Sequence, residues 1–256
     1  MLRSNILRGL IVLVLSGISL PLLSIELKTA AQNSHPKYFI LENNKMGGIC
    51  VDIMQAIERV DPEIKFNGYQ EFLPFKRLQI SLEEGGLDVF FGFRKTEERK
   101  INYLFLDVPL YQINYVVAVR ADDKVKINSF DDIRSLYNNG SMLTVFGTAA
   151  SDFLKMQEGV LVDDGAKNTK NLLEMLVTER GRFAFYHDIG LRSAIKYEGY
   201  STRIKILPVS FLTYSHFAVF SSKVPSETID KVRSAIKKLQ SNGELVQIIS
   251  KYNLQE

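Results

Sequence analysis

The chain has 256 residues, 46% of them hydrophobic and 24% charged, with a formal net charge of +3. That length suits two modest domains or one large one, and the apolar share is enough for a folded core. Arg3 and Arg8 carry two of the net charges, leaving +1 beyond residue 24, and no charged block argues for a nucleic-acid partner.

The N-terminus opens with Arg3 and Arg8, followed by an apolar run from Leu10 to Leu23. This order is that of a secretory signal peptide, which places residues 1–24 outside the mature fold and the protein in the periplasm. A retained N-terminal anchor is the alternative, although the run is short for a membrane span of ~20 apolar residues. Ser24 fits the position before a cut, Leu22 is large for its place, and Thr29-Ala30-Ala31 is a second candidate. The single cysteine, Cys50, lies in an apolar stretch and reads as a buried thiol. His35, His187 and His216 have no metal-like spacing, so a zinc site is not expected; no cofactor is expected.

Beyond residue 24, the sequence predicts alternating strands and helices. Ile25 to Lys28 alternates as a strand would, and Ile49, Val51, Ile53, Met54 and Ile57 give one face of a helix ending at Asp61-Pro62. Ile64 to Phe66 is strand-like. A helix is predicted over Phe72–Leu82, with Pro74 at its first position and Gly85-Gly86 as its stop. Leu87 to Phe93 is a buried strand, Tyr103 to Tyr111 an apolar edge, and Ile113 to Arg120 a long β-type run. Ser129, with Asp132 three residues on, caps a helix. Strands at 142–146, 183–186, 204–209 and 217–220 interleave with helices at 149–155, 169–179, 189–197, 226–240 and 244–252. This alternation predicts an α/β fold with mostly parallel sheets.

Several short motifs occur in order. Gly48-Ile49-Cys50-Val51-Asp52-Ile53 is followed by Gly85-Gly86-Leu87-Asp88-Val89, then Thr96-Glu97-Glu98-Arg99 and Phe105-Leu106-Asp107-Val108-Pro109-Leu110-Tyr111. Ser129 to Ile133 and Gly147-Thr148-Ala149-Ala150-Ser151-Asp152-Phe153-Leu154 come next, and Phe217 to Phe220 with its helix closes the series. Together they resemble the bacterial extracellular solute-binding proteins of family three, the amino-acid-type binding proteins of ABC importers. The resemblance implies a periplasmic-binding-protein-like fold of two α/β lobes. Lobe one comprises residues 25–115 plus 211–256, and lobe two residues 117–210. Two crossover strands form the hinge, and a ligand cleft lies between the lobes.

The resemblance also implies roles for individual residues. Arg99 stands where the family binds a ligand carboxylate with a guanidinium, whose paired N–H donors match two oxygens; without the family, it reads as a solvated charge beside Glu97 and Glu98. Thr148 opens a helix and is either an anion contact or a plain cap. Asp188 is either the partner of a ligand ammonium or a helix cap. Tyr38 (or Phe39) and Phe75 are either aromatic walls or core. Arg94 occupies the place of the family's usual hydroxyl residue, so either it points to solvent or the ligand is more anionic than a neutral amino acid; Thr96 stands in for that hydroxyl. The implied function is capture of a small polar carboxylate-bearing solute by a monomer that delivers it to an ABC permease. An enzyme such as a cyclohexadienyl-type dehydratase, using His187, Glu71 or Asp188, and a sensing subunit are the alternatives.

Overall fold

The computed structural model describes residues 24–252. Apart from Ser24, the expected signal segment lies outside them. Three short strands, β1 (Ile25–Lys28), β2 (Phe39–Ile40) and β3 (Met46–Gly47), precede helix α1 (Ile49–Val60). Then come β4 (Ile64–Asn67), α2 (Phe75–Glu84), β5 (Val89–Arg94), α3 (Glu97–Asn102) and the 17-residue β6 (Leu104–Arg120). The middle of the chain forms α4 (Phe130–Arg134), β7 (Met142–Val145), α5 (Ala149–Lys155), β8 (Val162–Ala166), α6 (Thr169–Val177), β9 (Phe183–His187) and α7 (Asp188–Tyr197). The chain returns through β10 (Ile204–Ile206), β11 (Leu212–Phe220), α8 (Ser226–Ser241) and α9 (Glu244–Ser250).

Local sequence explains most of these limits. Ile49, Ile53, Met54 and Ile57 recur at helical spacing and are buried, which fixes the inner face of α1. Helix α2 begins at Phe75 rather than Phe72. Pro74 is its N-cap with an extended ψ of 138°, so the proline stands just before the first helical residue rather than at it. Gly85 closes α2 in the left-handed conformation, φ 75°. At α4 the Ser129 hydroxyl accepts from the Asp132 N–H, and the Asp132 carboxylate accepts from the Ser129 N–H. Aspartate therefore completes the capping box despite its shorter reach.

The sheet departs from the mostly parallel arrangement expected. Seven strands run in the order β5-β11-β6-β9-β7-β8, with β10 also paired to β6. Strand β11 is antiparallel to both β5 and β6, and β9 and β10 are antiparallel to β6. Among the described residues, the strands that pair in parallel are β7 with β8 and β9, and β1 with β4. The reason is that β6 and β11 are long strands running in opposite directions along each other, rather than members of βαβ crossovers.

The buried side chains form two clusters. The first gathers α1, α2, β5, the first half of β6, α8 and α9 around Ile53, Phe90, Phe91 and Phe220. The second gathers the end of β6 with β7, α6 and β9 around Val117, Leu172 and Phe185. On β6 the change falls between Ile113 and Tyr115, and on β11 Tyr214 packs against both clusters. At this junction the Asp188 carboxylate accepts from the Asn114 N–H (3.2 Å) and Nδ2 (2.7 Å), while Thr213 Oγ1 donates to Asn114 Oδ1 (2.7 Å).

Phe185 is fully buried and packs against Tyr115, Phe130, Phe153 and Phe211. Phe185→Ala is expected to cost about 3–5 kcal/mol, read as a lowered urea midpoint; a loss below about 1 kcal/mol would contradict this packing.

Candidate functional site

A cavity of about 110 Å³ opens at the boundary of the two clusters. Strand β5 and helix α3 bring Arg94 and Arg99 to one wall, where Phe75 from the start of α2 also stands. The turn before β2 contributes Lys37. The two long strands supply Tyr111, Tyr115, Tyr214 and His216, and the second cluster supplies Gly147–Ala150 with Tyr186 and His187.

The cations of this wall rest on aromatic faces. The Arg99 guanidinium lies 4.5 Å from the Phe93 ring centroid and 5.4 Å from that of Phe75. Its Nη1 donates to the Arg94 carbonyl at 3.1 Å, which holds the group against the wall. Arg94 lies 4.7 Å from the Tyr214 ring and 5.9 Å from that of Tyr115. Both arginines are half-buried. Burial, then the charge of Arg94, lowers the Arg99 pKa, although a guanidinium stays protonated.

Lys37 is the cation that sequence reasoning missed. Its ammonium donates to Gln32 Oε1 (2.5 Å) and the Gly92 carbonyl (3.2 Å). Gly92 is what lets it in. At φ +81° a side chain there is strained, and its Cβ would stand 2.5 Å from Lys37 Cδ and 2.9 Å from Cys50 Sγ. Desolvation pulls the Lys37 pKa down to about 8, with Arg99 adding to the shift. Cys50 is the buried thiol expected, pushed up to about 11 by burial.

The histidines and tyrosines of the cavity are neutral. His187 Nδ1 accepts from the Gly190 N–H at 2.9 Å, and burial holds the ring's pKa down at about 3. The neutral ring therefore carries its proton on Nε2, as a donor rather than a base. His216 is likewise kept neutral by burial and meets Tyr111 Oη at 3.0 Å. Burial raises the pKa values of Tyr115, Tyr186 and Tyr214, so their phenols remain donors.

Arg94, Arg99, Phe75 and Thr148 all line the cavity. Three other candidates do not. Tyr38 is fully buried, and its hydroxyl donates to the Phe91 carbonyl, so it is core; its neighbour Lys37 is the residue that reaches the cavity. Thr96 caps α3, its hydroxyl accepting from the Arg99 N–H at 3.3 Å, which orients the arginine's backbone rather than the wall. Asp188 turns its carboxylate to Asn114 and to the Ile189 N–H. Thr148 is itself a cap: its hydroxyl donates to the Val145 carbonyl and accepts from the Ser151 N–H. Of the acid–base candidates, Glu71 is exposed and, like Asp188, off the wall.

The Lys37 environment has a direct readout. Its folded pKa lies below the 10.5 of an ordinary lysine. Between about pH 8 and 10.5 the unfolded chain therefore holds a proton that the folded chain has lost, and this residue's contribution to stability rises with pH across that window. Side-chain NMR of lysine-labelled protein is expected to show one ammonium titrating near pH 8 that disappears in Lys37→Met. Titration of every lysine above pH 10 would place Lys37 in solvent.

Comparison with known proteins agrees with this architecture. No curated protein matches the sequence. Among solved structures, the chain is similar to the amino acid ABC transporter substrate-binding protein AbpA from Streptococcus pneumoniae bound to L-arginine. That match has a TM-score of 0.70 and 17% identity, covering 90% of this chain and 97% of the other. The GluR0 ligand-binding core from Nostoc punctiforme in complex with L-glutamate aligns with a TM-score of 0.68 and 19% identity, over 88% and 98% of the two chains. An ancestral amino-acid-binding protein, a precursor of cyclohexadienyl dehydratase, aligns with a TM-score of 0.69 and 17% identity, over 90% and 95%. At these identities the likeness concerns the fold. The model of the bacterial extracellular solute-binding proteins, family 3, matches residues 27–255, and the chain belongs to that family.

Proposed function

We propose that the protein is exported to the periplasm as a monomer and captures a small carboxylate-bearing solute between two lobes for delivery to an ABC permease. The observation that carries this reading is Arg99. It is a half-buried guanidinium on the cavity wall, backed by two aromatic rings and tethered to a carbonyl, and no ion pair among the described residues engages it. A carboxylate accepting paired N–H bonds is the complement of such a group.

The two core clusters support a division into residues 25–115 plus 211–256 and residues 117–210, with β6 and β11 as the hinge. A solute touching Arg99 on one side and the Gly147–Ala150 turn on the other draws the halves together, because closure is favoured by whatever binds the closed form better. At that turn the Thr148 hydroxyl proton is already committed to Val145, so the contact there falls to its free lone pair and to the first N–H groups of α5. The burial of β1, with Leu27 in the first core cluster, supports removal of the leader after Ser24, since a cut at Thr29–Ala31 would delete that strand. The amino-acid-binding structures of the same fold support a solute of that general size.

The test is a thermal-shift screen of the purified protein against L-amino acids and small mono- and dicarboxylic acids. A true ligand at ~100 times its dissociation constant adds ~2.7 kcal/mol of stability. Hits are expected to carry a carboxylate and to vanish in Arg99→Ala. Stabilisation that survives this substitution unchanged would refute the assignment of Arg99.

A further inference from the structure

The charge on the cavity wall says more about the solute than that it carries one carboxylate. The lining residues include Lys37, Arg94 and Arg99 and no aspartate or glutamate. None of these three cations enters an ion pair with a carboxylate among the described residues. The acids nearest in sequence are occupied or turned away. Asp188 accepts three hydrogen bonds from Asn114 and the Ile189 N–H. Glu97 pairs with Lys100, and Glu98 is exposed.

The neutral groups add no negative charge. His187 presents an N–H, and Tyr115, Tyr186 and Tyr214 are kept as protonated phenols by burial. Two acceptors on the wall, Gln32 Oε1 and the Gly92 carbonyl, already accept from the Lys37 ammonium. A ligand ammonium entering this cavity finds three like charges and no anion. In a site shielded from water that juxtaposition is strongly unfavourable, whereas a second carboxylate relieves it. The cations are also spread over separate supports: Arg99 on Phe93 and Phe75, Arg94 on Tyr214 and Tyr115, and Lys37 beside Phe90. Charge distributed in this way matches an acid whose anionic groups lie at two ends rather than one compact anion.

We propose that the cavity takes a small dicarboxylate without an ammonium group, one end held by Arg99 and the other by Arg94, with Lys37 reinforcing the field. This rests on the carboxylate-capture reading above and narrows it.

Calorimetric titration of ligand-stripped wild-type protein with two matched pairs tests the proposal without relying on a variant. Succinate is compared with L-aspartate, and glutarate with L-glutamate, each pair differing only by the α-ammonium. The dicarboxylates are expected to bind at least about tenfold more tightly than their amino counterparts. In Arg94→Gln, the dicarboxylates are expected to weaken by about tenfold or more while butyrate changes by less than about threefold. Aspartate or glutamate binding as tightly as, or more tightly than, its unaminated partner would overturn the proposal and leave carboxylate capture standing. If neither pair nor butyrate binds at millimolar concentration to protein that melts cooperatively, both readings fall together.

Discussion

The proposed function depends on cationic side chains held partly out of water without carboxylates beside them. A guanidinium against an aromatic face keeps favourable electrostatics through the ring's quadrupole, at about 0.5–2 kcal/mol per contact. That is enough to position Arg94 and Arg99 but far from enough to replace a full anionic partner. On the proposed reading, the solute completes the favourable electrostatics of the cavity, and the same incompleteness couples binding to closure.

The fold creates this condition by bringing together segments distant in sequence. Lys37, Arg94, Arg99, Tyr115, Thr148, His187 and Tyr214 span most of the described chain yet line one cavity. The long antiparallel pair of β6 and β11 makes this possible, because both strands pass the boundary between the two cores. Asn114 and Thr213 face each other at that boundary, and the Asp188 carboxylate ties the start of α7 to them. The Asp188 carboxylate is thus engaged at the junction of the two cores. Gly92 performs a comparable structural task at the other side, giving way so that a lysine can enter beneath β5.

Much of the architecture was legible in the sequence because it depends on local periodicity. Helices α1, α6 and α8 follow from their apolar spacing, α5 from the Gly147-Thr148 opening, and α4 from Ser129 and Asp132. What was not legible depends on tertiary neighbours. Strand β8, Val162–Ala166, is an edge strand that pairs only with β7 and is largely half-exposed, so Val-Asp-Asp-Gly-Ala lacks a strand's apolar alternation. Strand β6 reads as two runs in the sequence. The polar Gln112 divides them, and Pro109, inside the first run, lies where the β6–β11 register shifts, a place where a missing N–H is tolerated. In the site, Arg99, Arg94, Phe75 and Thr148 carried a sequence signal, while Lys37 did not. A lysine beside Pro36 and Tyr38 reads as an ordinary surface charge until the backbone shows that Tyr38 is the residue taken by the core. Likewise, whether Asp188 offers its charge to a cavity or to Asn114 is decided by the direction of one side chain, which no spacing rule encodes.

The most direct test of the account is a crystal structure of the protein with its bound acid. The account requires carboxylate oxygens within hydrogen-bonding distance, about 3 Å, of the Arg99 guanidinium, and both cores in contact with the same solute molecule. A structure in which the acid lies elsewhere on the protein, or in which Arg99 faces bulk water beside an occupied cavity, would contradict it.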